Sequence, residues 1–468
     1  MQNKQLTAGD IIGLGFMAFA FFLGAGNLIF PPMAGFQAGD NTPYAMVGFL
    51  ITAVGLPLAG LIAVAKAKGK VMRMLPPVAA MLLASAIYII IGPAFAAPRA
   101  GLVAYDIGIK PFLENTTDIV HIGSLALNQA QLIFTMLFFG VVMLLALFPG
   151  QLMDSVGKVL TPLLIALLIG LAISVIIFAS GTMPQPIEDY ATHPLSKGII
   201  DGYGTMDTLA SLMFGMLIID LLRKKGVDDV ALQTRYLVRA AFIAAAGLAF
   251  VYISLFYLGA TAGELGQGAK TGGQILTNYV NEYFGVYGNL ALALVVGLAC
   301  LTTAVGLVTS CSDFFSELLP GLSYRMLVVL LSVVCGVVAN VGLSQLIAIS
   351  IPVLMMVYPV AIALVLVTFL ERFFRRPKLT HRVALLVALF FGIFDGLKVA
   401  AKTMKSFDVN DTSALSQAIV DFAAWVAPVM SKFPLYDQGM AWLVPTLVSV
   451  VICIIIGHNT RPATTHAQ

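Results

Sequence analysis

Stretches of about twenty predominantly apolar residues recur along this 468-residue chain, separated by short polar links. A helix rising about 1.5 Å per residue needs roughly twenty residues to cross a hydrocarbon layer about 30 Å thick. Each stretch therefore predicts a transmembrane helix. Twelve are found, centred near Phe21, Leu56, Ile89, Leu137, Leu167, Leu212, Leu248, Ala299, Leu331, Val360, Leu389 and Val450. The third is long, from about Pro77 to Ala104, and the fourth follows a polar stretch at Asn115–Asp118. A polar region from Lys402 to Gln438 separates the last two, and within it Leu415–Met430 predicts a short helix at the interface or docked on the protein. The expected fold is an all-α membrane protein.

Composition agrees. The chain is 59% hydrophobic and 10% charged, against about 25% charged residues in soluble proteins, which excludes a soluble globular enzyme. A net charge of +3 with scattered basic residues gives no surface for nucleic acid. Cys300, Cys311, Cys335 and Cys453 all fall in apolar segments without metal-site or disulfide spacing and read as small buried hydrophobes. The first apolar segment is too long for a signal-peptide core and is read as a retained span.

Lysine and arginine set the orientation. With the N-terminus inside and twelve alternating spans, the inside holds Lys4, Lys66, Lys68, Lys70, Arg73, Lys158, Arg223, Lys224, Lys225, Arg235, Arg239, Arg325, Arg372, Arg375, Arg376, Lys378, Arg382 and Arg461. Eight of the 26 basic residues remain outside, and every dense cluster lies inside. Both termini are expected in the cytoplasm.

The first span is interrupted by Gly24-Ala25-Gly26-Asn27, with Pro31-Pro32 following. Unsatisfied backbone groups in hydrocarbon cost several kcal/mol each, so such a break belongs where it lines a cavity. Transporters built from inverted repeats carry paired broken helices. In a five-plus-five repeat the counterpart is span six, where Ser211-Leu212-Met213-Phe214-Gly215 is the expected second break, between Asp207 and Asp220. Half-helix N-termini favour a carboxylate, and freed carbonyls favour a cation or an ammonium group. Phe21, Phe22, Phe95, Met213 and Phe214 supply apolar and aromatic walls near the breaks, suiting an apolar substrate side chain. In span eight, adjacent Thr302 and Thr303 offer hydroxyls for an oxygen-rich Na⁺ site.

Gly13–Pro32 (GLGFMAFAFFLGAGNLIFPP), Ile91–Arg99 (IGPAFAAPR) and Gly202–Asp207 (GYGTMD) together resemble the bacterial branched-chain amino acid:cation symporters, the LIV-II carrier family, and the resemblance runs from the first span to the twelfth. It implies import of leucine, isoleucine and valine with Na⁺, or in some members H⁺, across the bacterial inner membrane. A more distant similarity to sodium-coupled leucine and neurotransmitter transporters rests on Gly24, Gly26 and Asn27, on Ser211, Leu212, Phe214 and Gly215, and on Ala299, Leu301, Thr302 and Thr303. It implies a substrate carboxylate near Gly24–Gly26 and a substrate side chain against Phe214. It also implies Na⁺ among the carbonyls of Ala20, Leu23 and Ala299 and the hydroxyls of Thr302 and Thr303, with Asn27 serving a second ion or the unwound backbone. Tyr88 is the candidate for a carboxylate-binding tyrosine in span three.

The transport core is expected over residues 1–371, with two peripheral spans and an extracytoplasmic loop in 372–468. Beyond substrate, coupling ion and lipid, no cofactor and no obligatory protein partner is implied. Arg99 and Asp207 are paired as a candidate outer gate, and Asp395 in span eleven has no assigned role. An H⁺-coupled carrier of the same fold would need a protonatable group at mid-span in spans one, six or eight, and none is expected there.

Overall fold

The computed structural model describes residues 5–113, 118–122, 125–148, 161–178, 183–406 and 414–459. Lys4, Lys158 and Arg461 of the charge count lie outside them. Helices start where a short polar side chain can take up the free amides of the first turn. Thr7 and Asp10 cap each other's backbone at the start of α1 (Ala8–Phe22). Asn128 caps α7 (Gln129–Ala146), and Asp229 caps α12 (Val230–Ala260). Thr271 caps α13 (Gly272–Leu318), and Ser323 caps α14 (Tyr324–Val338).

All twelve expected centres fall in helices. Besides those named they are α4 (Leu56–Lys66), α5 (Pro77–Ile89), α8 (Thr161–Phe178), α11 (Asp207–Lys224), α15 (Leu343–Leu370), α16 (Pro377–Ser406) and α18 (Leu443–Asn459). Among the described residues, eight helices are long and apolar enough to cross a membrane, or nine if the bent pair Pro194–Tyr203 and Asp207–Lys224 is one span. The difference from twelve has a local cause. The first span is divided, leaving α1 at 15 residues, and its second half, α2 (Ala25–Ala38), runs on through Gly39–Asn41 into α3 (Thr42–Leu50). Two more expected spans, α14 and α18, are short helices.

Two local expectations are corrected. Pro31 and Pro32 lie inside α2 and do not break it. The chain is not wholly helical: just after the polar stretch, β1 (Ile119–Ile122), with three β-branched residues, pairs antiparallel with β2 (Leu125–Asn128). Span two contains a π-helical turn, Ile51–Gly55, and span three another, Ile90–Ala94, whose Gly92 leaves helical geometry (ψ −112°) before α6 (Ala96–Gly108). A helix does form at Ala414–Met430 (α17).

The chain divides into two compact units, one of Met1–Gly69 and Ser85–Ile347, the other of Lys70–Ala84 and Ala348–Gln468. The later boundary thus falls inside α15. In the second unit, Phe391 of α16, Met430, Tyr436, Ala441 and Trp442 form an apolar cluster. Lys398 there donates to the carbonyl of Tyr436 (2.9 Å).

In the first unit, α1 and α2 pack along α12, while α10 (Pro194–Tyr203), which follows the one-turn α9 (Asp189–Thr192), packs on α3 and α11 on α4. Without a hydrophobic force between helices in lipid, close approach depends on small residues. Each of these four crossings has a glycine on both sides. A side-chain carbon on Gly35 would meet the Phe256 carbonyl at 2.0 Å, and one on Gly259 the Pro32 carbonyl at 1.9 Å. Gly48 and Gly198 meet the carbonyls of Leu195 and Ala45, each at 2.1 Å. Gly15 abuts Ile243 and Gly247 abuts Phe19; Gly60 abuts Ser211 and Gly215 abuts Val64.

Candidate functional site

Span one breaks at Leu23-Gly24. Leu23 leaves the helix with ψ 82° and Gly24 is extended (φ −116°, ψ −161°). In an unbroken helix the Gly24 amide would bond to the Ala20 carbonyl. It goes instead to Asn27 Oδ1 at 3.0 Å. The Ala20 carbonyl, freed at the end of α1, receives the hydroxyls of Thr302 and Thr303, each at 3.2 Å. Thr302 also reaches the Ala299 carbonyl at 3.0 Å. Four of the six residues expected around a cation, Ala20, Ala299, Thr302 and Thr303, thus come together. Leu23 is buried at the turn itself. The Asn27 side chain points into a different set of partners.

Span six breaks about two turns earlier than expected. The chain stays helical through Ser211 and Gly215, and the interruption is Gly204-Thr205-Met206, between α10 and α11, with a 42° bend. Met206 adopts a left-handed conformation (φ +66°, ψ 8°), unfavourable for a side chain with a Cβ and typically costing of order 1–3 kcal/mol. Thr52, at the π-helical turn of span two, ties both halves: its hydroxyl donates to the Ile199 carbonyl (2.8 Å) and its carbonyl accepts from Thr208 Oγ1 (3.2 Å). Ser211 Oγ returns to the Thr208 carbonyl of its own helix (2.6 Å), and Gly215 packs on Val64. These two residues build the contact with span two and do not face the cavity.

The two breaks meet at Gly26. A carbon added there would lie 2.6 Å from Arg99 Nη2 and 3.0 Å from both the Gly204 carbonyl oxygen and Thr205 Cα. Beside this junction is a small cavity lined by Phe21, Phe22, Gly24–Asn27, Ile91, Ala96, Arg99, Thr205–Asp207, Ala210, Phe214, Thr303 and Leu307. Phe214 closes one side, its ring 5.3 Å from Phe21 and 5.4 Å from Phe22. Asp207, 2% exposed, is the first residue of α11, where the helix dipole favours its negative charge. Its Oδ2 accepts from Asn27 Nδ2 (2.8 Å) and from the Tyr252 hydroxyl, which also contacts the Asn27 amide. Arg99, also 2% exposed, has its guanidinium 5.4 Å from the centre of the Phe30 ring. The expectation of no protonatable group at the breaks is therefore corrected: Asp207 stands at the second break, not out towards a span end.

Of the residues expected to hold substrate, Gly24, Ala25, Gly26 and Phe214 line the cavity. Tyr88 does not: it stacks on Phe314 (4.1 Å between ring centres), and its carbonyl accepts from Cys311 Sγ (3.3 Å). Phe95 sits half-buried at the exit of the π-helical turn and is not in the lining. Sequence reasoning missed Thr205, Met206 and Tyr252. A lone tyrosine in an apolar helix carries no signal of its own, whereas Asp207 in an apolar segment did. A wider apolar groove, about 450 Å³, opens between α8 and α13 around Gly170, Ser174, Phe284 and Tyr287. It holds no charge and neither helix break, so the candidate site is the smaller cavity.

A family profile described as branched-chain amino acid transport protein matches residues 7–460. The branched-chain amino acid transport system 2 carrier protein of Pseudomonas aeruginosa is 43% identical over 454 residues, covering 96% of this chain and 97% of that protein. The branched-chain amino acid permease BrnQ of Escherichia coli is 41% identical, and BraB of Bacillus subtilis 38%, each over 97% of both chains. Among solved structures, Mhp1, a nucleobase-cation-symport-1 family transporter in a closed conformation with bromovinylhydantoin bound, superposes with a TM-score of 0.57 at 13% identity, covering 95% of this chain and 91% of that one. MhsT in complex with L-phenylalanine superposes with a TM-score of 0.51 at 16% identity, covering 96% and 100%. Those two likenesses concern the fold. The sequence matches span nearly the whole chain, which belongs to the branched-chain amino acid transport protein family and is a transporter rather than an enzyme.

Proposed function

We propose that this protein is a secondary active symporter that imports leucine, isoleucine and valine with Na⁺ across the bacterial inner membrane, both termini being cytoplasmic. The observation that carries the reading is the Ala20 carbonyl, freed by the first break and met by two hydroxyls of α13 beside a cavity walled by Phe21, Phe22 and Phe214. Carbonyls and hydroxyls are the hard oxygen donors that a small alkali cation prefers. The relatives carry branched-chain amino acids in their names, and the aromatic wall suits an apolar side chain. The substrate carboxylate lies against the first-turn amides of α2, and the aliphatic part against Phe214.

Twelve spans in a five-plus-five inverted repeat are part of the same reading. Exchanging spans one and two with six and seven turns the contacts of α1 and α2 on α12 into those of α10 and α11 on α3 and α4. The glycines follow: Gly48 and Gly60 are twelve residues apart, as are Gly247 and Gly259. Contact between α6 and α13, spans three and eight, maps onto itself. Such a frame supports rocking of one bundle against another around a fixed site. One net positive charge moved inward gains about 2.3 kcal/mol per 100 mV, roughly fifty-fold accumulation.

Proton coupling is the second reading, and buried Asp207 at the site speaks for it. Leucine uptake into proteoliposomes under imposed Na⁺ and pH gradients separates the two. Uptake that follows Na⁺ supports the first reading; uptake indifferent to Na⁺ and driven by the pH gradient replaces it with the second.

A further inference from the structure

Among the described residues lining the cavity, Arg99 and Asp207 are the only charged ones, and each is 2% exposed. Holding a charge at membrane depth costs about 2.5–3.5 kcal/mol per residue on insertion scales, so such charges mark function. They come from different elements, α6 and α11, and line the same cavity. An empty cavity bearing one charge of each sign is close to neutral, and a bound zwitterion leaves it neutral. The substrate's two charges offer each residue a partner of opposite sign.

We propose that Arg99 and Asp207 read the two ends of the substrate's head group: Arg99 the α-carboxylate, Asp207 the α-ammonium. The assignment rests on the amino acid reading above and adds the residues that make it selective for a free α-amino acid. Arg99 Nη2 lies 2.6 Å from where a side chain on Gly26 would begin, so guanidinium and first-turn amides of α2 converge on one anion position. The Phe30 ring beneath the guanidinium holds it there. At the other end, Asn27 and Tyr252 fix the Asp207 carboxylate from one side through Oδ2. The carbonyls of Gly204 and Thr205, between α10 and α11, lie just before it and add acceptors for an ammonium group.

The test is a competition experiment on purified protein in proteoliposomes. Uptake of labelled leucine is challenged with unlabelled leucine, with 4-methylpentanoate, which lacks the amino group, and with 3-methylbutylamine, which lacks the carboxylate. In the wild type each analogue should inhibit at least about tenfold less well than leucine, the weight of a lost hydrogen bond to a charged group. Asp207→Asn retains an acceptor for Asn27 and Tyr252 but loses the charge. It should weaken leucine about tenfold while leaving inhibition by 4-methylpentanoate unchanged or improved, and Asp207→Glu should restore part of the preference. Arg99→Gln should do the same for 3-methylbutylamine. Variants that still transport leucine with unchanged preference ratios overturn the assignment. Should neither variant be recovered folded, the wild-type panel decides, since an analogue matching leucine overturns its half. A wild type that takes up no leucine at all would instead overturn the amino acid reading itself.

Discussion

The two helix breaks that frame the cavity are built from different materials and offer different chemistry. The first turns at a glycine, and its loose amide is held by Asn27. What it presents is a bare carbonyl, Ala20, to hydroxyls on α13. The second turns at Met206, a side-chain-bearing residue in left-handed geometry, and what it presents is a carboxylate, Asp207. One break offers neutral oxygens of the kind that strip water from a cation, the other a carboxylate of the kind that orients an ammonium group. Asn27 joins them, with one end of its amide on each break. If the division of labour holds, damage to one break should change ion dependence, damage to the other head-group selectivity, and damage to the junction both.

The junction carries the largest expected effect. Gly26→Ala places a carbon 3.0 Å from backbone atoms of Gly204 and Thr205 and 2.6 Å from Arg99 Nη2. Overpacking typically costs about 1–3 kcal/mol, so uptake should fall by up to about a hundredfold while the protein still reaches the membrane. Initial rates of leucine uptake, normalised to protein in the vesicles, measure it. Rates within twofold of wild type would show that the breaks do not meet during transport.

Asn27→Ala comes next. It removes the partner of the Gly24 amide and one of the donors to Asp207, both buried. An unsatisfied buried group costs about 1–3 kcal/mol, and thermal unfolding in detergent should move to lower temperature. Both Na⁺ activation and analogue preference should weaken together. A change in only one would mean that Asn27 serves a single break.

Thr302→Ala acts on the first break alone. It takes away one hydroxyl from the Ala20 carbonyl and leaves the Asn27–Asp207–Tyr252 contacts in place. The Na⁺ concentration for half-maximal uptake should rise by about tenfold, the weight of one lost ligand contact, with preference for leucine over its analogues unchanged. Na⁺ activation curves for the two proteins decide it.

How legible these breaks were follows from their materials. Two glycines and an asparagine in an apolar run are a compositional anomaly, so the first break could be read directly from Gly24-Ala25-Gly26-Asn27. The second is closed by Met206, whose backbone angles no composition announces, and Gly215 drew attention because glycines serve both breaks and close packing. Here it serves packing, against Val64. The same ambiguity placed Pro31 and Pro32 with the break, though the helix runs through them. Thr302 and Thr303 were legible because two adjacent hydroxyls at mid-span are scarce, while Tyr252 was one aromatic among many. Helix positions were read well because apolar length is a one-dimensional property. The residues that meet at the cavity depend on which spans cross, which is not.

Ser211→Ala is the smallest expected change and the one that most directly checks where the second break lies. Its hydroxyl donates to the Thr208 carbonyl of its own helix and faces Gly60 of α4, away from the cavity. A serine bonded back to its own helix contributes little, since the carbonyl retains its backbone partner. Alanine also has the higher helix propensity. Uptake, Na⁺ activation and analogue preference should all stay within about twofold of wild type, a range of roughly 0.4 kcal/mol. A large loss of leucine affinity with stability intact would place the substrate a turn deeper in α11, beside Ser211, and would take from the Gly204–Met206 break the role that its contact with Gly26 gives it.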